Sequence, residues 1–455
     1  MNFTLGQKFV KQKEFGKALK IFLRLEKNNE IDFKIYFYLG MINFELNNYN
    51  KSAFYYNKFL EKEPNSMSAL HNLAIVKQII GHIESAKNIY LKLIKMDKYK
   101  IRPYYGLFTL NENFLTNKHF EVIREIEKKL KLNLYEKGII KFILSKKQKK
   151  NKNYKNEIKY LKDFHDDIFN FNYEYNKSSQ FYYNNIISQN YDKIKIIDNK
   201  KYIKNNSLSP IFIIGLPRSG STLIESILTS GIDEVKSVGE SHVINMSILN
   251  QVGPKIYNNN FKEKNFTFEI DPIIFQDSVI KKYEDFSLIK NSKNQFFIDK
   301  SLENFFNIEI ILNLYPKAKF LHTLRNPYDS AISIFQSMLP DLSWTHYIKD
   351  ILNYMDNYFK ALNYFKSRFP GVIMDIDLEK FTHESEKFSK EICQFCNLNW
   401  TNDILNFHKR NDLHSKTLSF SQVRKKVSKY DDNKYKPYFH LLEDYSEKYS
   451  WINSE

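Results

Sequence analysis

Cysteine is nearly absent from this chain: of 455 residues only Cys393 and Cys396 carry a thiol. Two thiols cannot build the disulfide framework of a secreted scaffold, and there is no second C-x-x-C pair to complete a zinc site. The flanking run Ile392 to Leu398 follows an amphipathic helix ending near Asn397, so both are expected to be reduced, structural cysteines. Long apolar runs are also missing. No stretch approaches the roughly 18–20 uninterrupted apolar residues of a membrane span. The start, Met1 to Lys8, lacks the basic-then-apolar order of a secretory leader. These absences lead to the expectation of a cytoplasmic protein with no membrane span. H-E-x-x-H, a Cys/His cluster and a strand-end carboxylate pair suited to Mg²⁺ are likewise missing, so no metal is expected.

Positive charge is plentiful. The formal net charge is +17, from 69 Lys and Arg against 52 Asp and Glu. That balance invites a nucleic-acid reading. However, Lys, Asn, Ile, Phe and Tyr are abundant together, as AT-rich codons would give, and such a surface requires no specific nucleic-acid partner. Part of the charge can still steer a polyanionic ligand or acidic acceptor. The run Lys146 to Lys152 reads as a solvated linker or helix end. With 42% hydrophobic and 16% aromatic residues, the chain can bury a large core and is long enough for two or more domains.

The first third has a period of 34 residues. Gly6, Gly40 and Ala74 start the register, followed nine positions later by Phe15, Tyr49 and Ile83, and twelve later by Ala18, Ser52 and Ala86. Small residues at such positions let paired helices approach, and aromatics fill the space between repeats. The pattern resembles the tetratricopeptide repeat. Three copies are readable, Pro64 stands where a repeat ends, and Tyr104 to Ile126 holds a decayed fourth. Residues 129–200 read as helical without a clean period.

From residue 208 the period changes. Short β-branched or aromatic runs at Ile211–Ile214, Phe296–Ile298, Lys319–Thr323 and Val372–Ile376 alternate with helical patterns. That alternation implies a parallel sheet covered by helices, with ligands at the carboxyl ends of the strands. The first run ends in Gly215-Leu216-Pro217-Arg218-Ser219-Gly220-Ser221-Thr222 and then a helix. A strand, a Gly-containing turn and a helix N-terminus make an anion cradle from backbone N–H groups and the helix dipole. The spacing Gly-x4-Gly matches a Walker-type loop, but Ser221 stands where an ATP loop needs Lys. Arg218 is the one cation within the loop.

Pro217 to Leu223 resembles the 5′-phosphosulfate loop of sulfotransferases, P-K/R-S-G-S/T-T. Arg325-Asn326-Pro327 with Ser333 resembles their 3′-phosphate element, R-D/N-P-x-D-x-x-x-S. Asp299-Lys300 with Asn304-Phe305 resembles D-K-x-x-x-N-F/Y. Phe395 to Trp400 with Phe407-His408 fits F-C-G-L-x-W…F-H, and Thr417, Ser419, Gln422, Val423 and Arg424 fit T-x-S-x-x-Q-V-R. Over roughly residues 206–445 the order is that of bacterial sulfotransferases carrying N-terminal tetratricopeptide repeats, similar to tyrosylprotein sulfotransferases in the catalytic half. The sequence departs from the family at Asp375 to Glu379, at Lys426 in place of Pro, and at Tyr435 in place of Trp.

The resemblance implies helical repeats over 1–130, a helical connection over 131–205 and a P-loop-like parallel-sheet domain over 206–455. It implies sulfonate transfer from 3′-phosphoadenosine 5′-phosphosulfate to a hydroxyl or amine, such as a peptide tyrosine or a saccharide, with the acceptor recruited by the repeats. Arg218, Ser219, Gly220, Ser221 and Thr222 would hold the 5′-phosphosulfate, Arg325 and Ser333 the 3′-phosphate, and Ser419 and Arg424 would close over the cofactor. Lys300 would face the leaving group. Glu240, in Gly239-Glu240, would be the general base, with His242 as the alternative. Two other readings stand beside this one: a repeat-based binding module with a degenerate nucleotide site, and a P-loop nucleotide kinase. Intact phosphate motifs oppose the first, and Ser221 opposes the second.

Overall fold

The 34-residue period folds as antiparallel helix pairs, seen here in a computed structural model. It describes residues 3–27, 32–129, 131–193, 195–196, 209–230, 235–258, 269–285, 296–410, 424–431, 433–449 and 451. The pairs are α1 (Phe3–Lys11) with α2 (Phe15–Lys27), α3 (Lys34–Glu45) with α4 (Tyr49–Lys62), and α5 (Met67–Ile79) with α6 (Ile83–Met96). They are followed by α7 (Ile101–Leu110), α8 (Asn117–Lys129), α9 (Leu134–Lys150) and α10 (Tyr154–Phe171). Ala18, Ser52 and Ala86 are fully buried, as the period requires. A Cβ on Gly6 would stand 2.8 Å from the ring of Phe22, and one on Gly40 would stand 2.8 Å from the ring of Tyr56. The missing side chain of one helix is therefore filled by an aromatic of the next, sixteen residues on. Ser52 Oγ adds a 2.7 Å hydrogen bond to the Gly40 carbonyl. The chain divides into two compact units: residues 1–143 with 408–424, and residues 144–407 with 425–455.

The second unit contains the sheet. Its strands are all parallel: β2 (Ile211–Gly215), β3 (Lys236–Ser237), β5 (Phe297–Asp299), β6 (Lys319–Leu324) and β7 (Ile373–Asp377), in the spatial order β3-β5-β2-β6-β7. A separate two-residue ladder joins β1 (Lys195–Ile196) to β4 (Glu269–Ile270). The four expected strands are all present, each within one residue of its predicted start. The two-residue β1, β3 and β4 are too short to leave a periodic signal. Every residue of β2 is buried, which fits the central strand of a sheet covered on both faces. Phe212 stacks on Phe320 across β2 and β6 at 5.4 Å between centroids.

Cys393 and Cys396 are unbridged and buried. Burial pushes the Cys393 thiol up to about 11 and the Cys396 thiol further up. The helix Ser385–Phe395 carries the first, and Asn397 at φ 55° ends it in the left-handed conformation that Asn tolerates. Among the described residues, no helix is long and apolar enough to cross a membrane, and no group of three His, Cys, Asp or Glu could hold a metal ion.

Candidate active site

Strand order decides which turns meet. With β5 lying between β3 and β2, the residues following β3, β5 and β2 come together at one end of the sheet. The Lys300 N–H donates to the Gly239 carbonyl at 2.9 Å, so the β3–β5 ladder extends one step past the strands and delivers Glu240 next to Lys300.

The loop after β2 is set by two glycines. Gly215, at φ 143°, passes so close to β6 that a Cβ would lie 2.5 Å from the Thr323 carbonyl oxygen. Gly220, at φ 92°, starts the helix Ser221–Leu228, and a Cβ there would meet Leu378 at 2.5 Å. Ser219 is buried. Its Oγ donates to the Leu216 carbonyl and shares a 2.7 Å hydrogen bond with Thr323 Oγ1, tying the loop to β6. Ser221 and Thr222 occupy the first turn, at the positive end of the helix dipole. Arg218 has φ 70°. Burial above all, with Arg325 nearby, pulls its guanidinium below the ordinary value, although an arginine stays charged.

Lys300 is an enclosed charge, its side chain 1% exposed. Its Nζ donates to Glu240 Oε1 at 2.6 Å and stands 3.7 Å from Glu225 Oε2. Burial favours the neutral amine, but Glu240 and Glu225 outweigh it and hold the ammonium above its ordinary value. Glu225 lies on the loop helix, and the sequence reading passed over it. Its Oε1 accepts from Ser237 Oγ at 2.5 Å, and that same Oγ accepts the Gly239 N–H at 2.9 Å. One carboxylate thus links the loop helix, the turn after β3 and Lys300. Burial raises it above the ordinary carboxylate range. A glutamate inside an apolar helical pattern reads from sequence as a solvated residue, so its burial had no sequence signal. Asp299 is also buried and raised by burial, and it accepts from Ser241 Oγ, Tyr283 OH and the Ser301 N–H.

The two candidate bases differ in state. Glu240 is 46% exposed, and its Oε1 is held by Lys300. His242 Nδ1 lies 2.6 Å from Glu303 Oε1, and that carboxylate pushes the imidazole up to about 9. A protonated imidazole at neutral pH has no lone pair with which to remove a proton.

Arg325 follows β6. Asn326 caps the next helix, Pro327–Phe335, by accepting from the Tyr328 and Asp329 N–H groups, with Pro327 at the first helical position. Arg325 donates to Asp329 Oδ2 at 3.2 Å, to the Arg218 carbonyl at 3.2 Å and to Tyr430 OH from both Nε and Nη2. Tyr430 OH in turn bonds Asp329. Ser333, two turns along the same helix, accepts a 3.1 Å hydrogen bond from Tyr435 OH. The Arg325 guanidinium stands 5.1 Å from the Tyr435 ring. Tyr430 and Tyr435 therefore touch the two residues expected to hold a 3′-phosphate. Of the two residues expected to close over the cofactor, Ser419 lies outside the described residues. Arg424 lies in the first unit, where its Nη2 donates to the Ile79 carbonyl at 2.8 Å.

Residues 210–402 match the family model described as Sulfotransferase family, and residues 33–66 match the Tetratricopeptide repeat. This chain carries a sulfotransferase-family domain behind tetratricopeptide repeats. An uncharacterized protein of Aquifex aeolicus is 25% identical over 457 residues, covering 96% of this chain and 57% of that protein. The uncharacterized protein ycf37 of Guillardia theta is 29% identical over 100 residues, 21% of this chain and 56% of its own length. The chain thus spans little more than half the length of these relatives. Among solved structures, the sulfotransferase domain from the Synechococcus PCC 7002 olefin synthase aligns at 16% identity and a TM-score of 0.33, covering 51% of this chain and 89% of that one. Sulfotransferase STF1 from Mycobacterium tuberculosis H37Rv aligns at 11% identity and a TM-score of 0.32, covering 71% and 97%.

Proposed function

We propose that the domain transfers the sulfonate of 3′-phosphoadenosine 5′-phosphosulfate to a hydroxyl or amine acceptor, with Glu240 as general base. The observation that carries this reading is the 2.6 Å contact of a half-exposed Glu240 with the buried Lys300, at the strand ends that also bear the Arg218 loop. Glu240 removes the acceptor proton, the acceptor oxygen or nitrogen forms a bond to sulfur, and the bond from sulfur to the bridging phosphate oxygen breaks. Adenosine 3′,5′-bisphosphate leaves. Arg218 and the amides of Ser219, Gly220, Ser221 and Thr222 hold the 5′-phosphosulfate and stabilise charge developing on it. Lys300 neutralises the leaving oxygen. Arg325 and Ser333 hold the 3′-phosphate, exchanging their bonds to Tyr430 and Tyr435 for bonds to phosphate oxygens.

The charge of His242, fixed by Glu303, favours Glu240 over it as the base. The repeats suit recruitment of a protein or peptide acceptor. The test is Glu240→Gln, with turnover of sulfonate donor and binding of adenosine 3′,5′-bisphosphate both measured. Turnover should fall while binding stays within about threefold of wild type, because the amide keeps the shape and loses the basic lone pair. Undiminished turnover would remove Glu240 from the chemistry. Absence of bisphosphate binding in the wild-type chain would leave the repeat-based binding module, a reading favoured by the engagement of Arg325 with Asp329 and Tyr430.

A further inference from the structure

Both residues expected to hold a 3′-phosphate are met by phenols from one C-terminal segment. Arg325, its side chain 7% exposed, donates to Tyr430 OH from Nε at 3.0 Å and from Nη2 at 2.5 Å. These are two nitrogens of the fork with which an arginine meets an oxyanion. The phenol proton goes to Asp329 Oδ2, and the guanidinium carbon lies 4.9 Å from the centroid of the Tyr430 ring. Tyr435 OH donates to Ser333 Oγ at 3.1 Å. We propose that Tyr430 is an internal competitor for the phosphomonoester subsite: its hydroxyl stands on Arg325 where a phosphate oxygen would, and it must leave before a 3′-phosphate can be held there. This rests on the donor reading above and adds how the subsite is regulated.

The backbone around Tyr430 is suited to release. Residues 426–431 form neither helix nor strand, and Lys429 and Asp431 on either side are exposed. The Tyr430 N–H is tied to a side chain, Thr382 Oγ1 at 3.1 Å, rather than to a ladder. Tyr435 differs: it is 5% exposed and caps the short turn Lys436–Tyr438. Tyr430 is therefore the more easily displaced of the pair. Charge decides the exchange. Burial and the hydrogen bond to Asp329 hold the Tyr430 phenol above its ordinary value, so it meets Arg325 as a neutral hydroxyl. A phosphomonoester carries about −1.5 to −2 at neutral pH and makes the stronger, charge-assisted bond to a guanidinium. A ribose 3′-hydroxyl brings no charge and gains nothing over the phenol already there. Asp329, 3.2 Å from Arg325, opposes an incoming phosphate and is also the acceptor that holds the phenol, so both of its effects favour the Tyr430-bound arrangement. Affinity for the 3′-phosphate is thereby lowered by the fraction of molecules in which Arg325 is released from Tyr430. The product keeps the same 3′-phosphate, so the return of Tyr430 to Arg325 promotes its departure.

The experiment is calorimetric titration of the full chain with adenosine 3′,5′-bisphosphate and with adenosine 5′-monophosphate. Tyr430→Phe keeps the ring and removes the hydroxyl. It should tighten the bisphosphate by about tenfold and change the monophosphate by less than about twofold. Unchanged or weaker bisphosphate binding in the folded variant, or equal tightening of both ligands, would overturn the proposal. Preference for the bisphosphate in neither chain would fail the donor reading itself. Tyrosine acetylation of the wild-type chain, read at Tyr430 by mass spectrometry, needs no variant. The bisphosphate should raise the labelling of Tyr430 and the monophosphate should not, whereas labelling that the bisphosphate lowers or leaves unchanged would refute the assignment.

Discussion

Replacing Lys300 by Met should destabilise the second unit strongly, and the loss should shrink on acidification. The ammonium is 1% exposed and lies between two carboxylates, Glu240 at 2.6 Å and Glu225 at 3.7 Å. At such separations each attraction is about 4–6 kcal/mol at an effective dielectric constant near 20, before desolvation is subtracted. The two carboxylates differ in what happens when the lysine is gone. Glu240 is 46% exposed, so water can solvate it and its share is small. Glu225 is 17% exposed and keeps only its Ser237 bond, so it becomes a buried charge without its cation. Removing one partner of a buried pair costs about 3–5 kcal/mol. Burial already raises the Glu225 carboxyl, and loss of Lys300 raises it further. A carboxyl with a folded value above its unfolded one binds more protons when native. Its contribution is therefore a penalty that grows as pH rises from the unfolded value through the folded one. Urea denaturation of wild type, Lys300→Met and Lys300→Met/Glu225→Gln at pH 5 and pH 8 reads this directly. The single variant should lose more at pH 8, and the double variant should recover most of the loss. A cost below about 1 kcal/mol, or one equal at both pH values and unaffected by Glu225→Gln, would refute the account.

Arg218→Ala should leave the circular dichroism unchanged and lower turnover about 10²–10³-fold, the usual loss for one preorganised donor; normal turnover would show that the loop does not act on the reacting group. His242→Asn should remove an ion pair whose histidine is raised to about 9 by Glu303. Because the folded value exceeds the unfolded one, the stability difference from wild type should be full below about pH 6.5 and vanish as pH rises through about 9, and a difference that grows with pH would contradict it. Gly40→Ala should cost about 1–3 kcal/mol in thermal or urea unfolding, because the new methyl would stand 2.8 Å from Tyr56 in a packed helix interface. Gly253→Ala has nothing within 4 Å and should be neutral or slightly stabilising, so equal losses at the two glycines would show that packing is not the cause.

The sequence revealed what repeats or alternates, and hid what the fold brings together from afar. Gly6 and Gly40 were legible because a 34-residue period returns them, and the structure shows the ring each one accommodates. The loop from Gly215 to Thr222 was legible because strand, turn and helix are contiguous in the chain. Lys300 and Glu240 were legible as separate residues following separate strands, but their contact required the order β3-β5-β2, which no local pattern encodes. Glu225 was lost for a different reason. It is a charged residue at a helical position, and composition alone assigns such residues to a solvated face. What buries Glu225 is Ser237 and Lys300, residues 12 and 75 positions away. Tyr430 and Tyr435 show the same limit from the other side. A chain rich in tyrosine gives no reason to single out two of them, yet their hydroxyls lie on Arg325 and Ser333. The charged and hydroxyl-bearing residues that distinguish this site from a bare anion-binding turn are therefore those whose partners lie farthest along the chain, and there chemistry can be assigned only after topology is known.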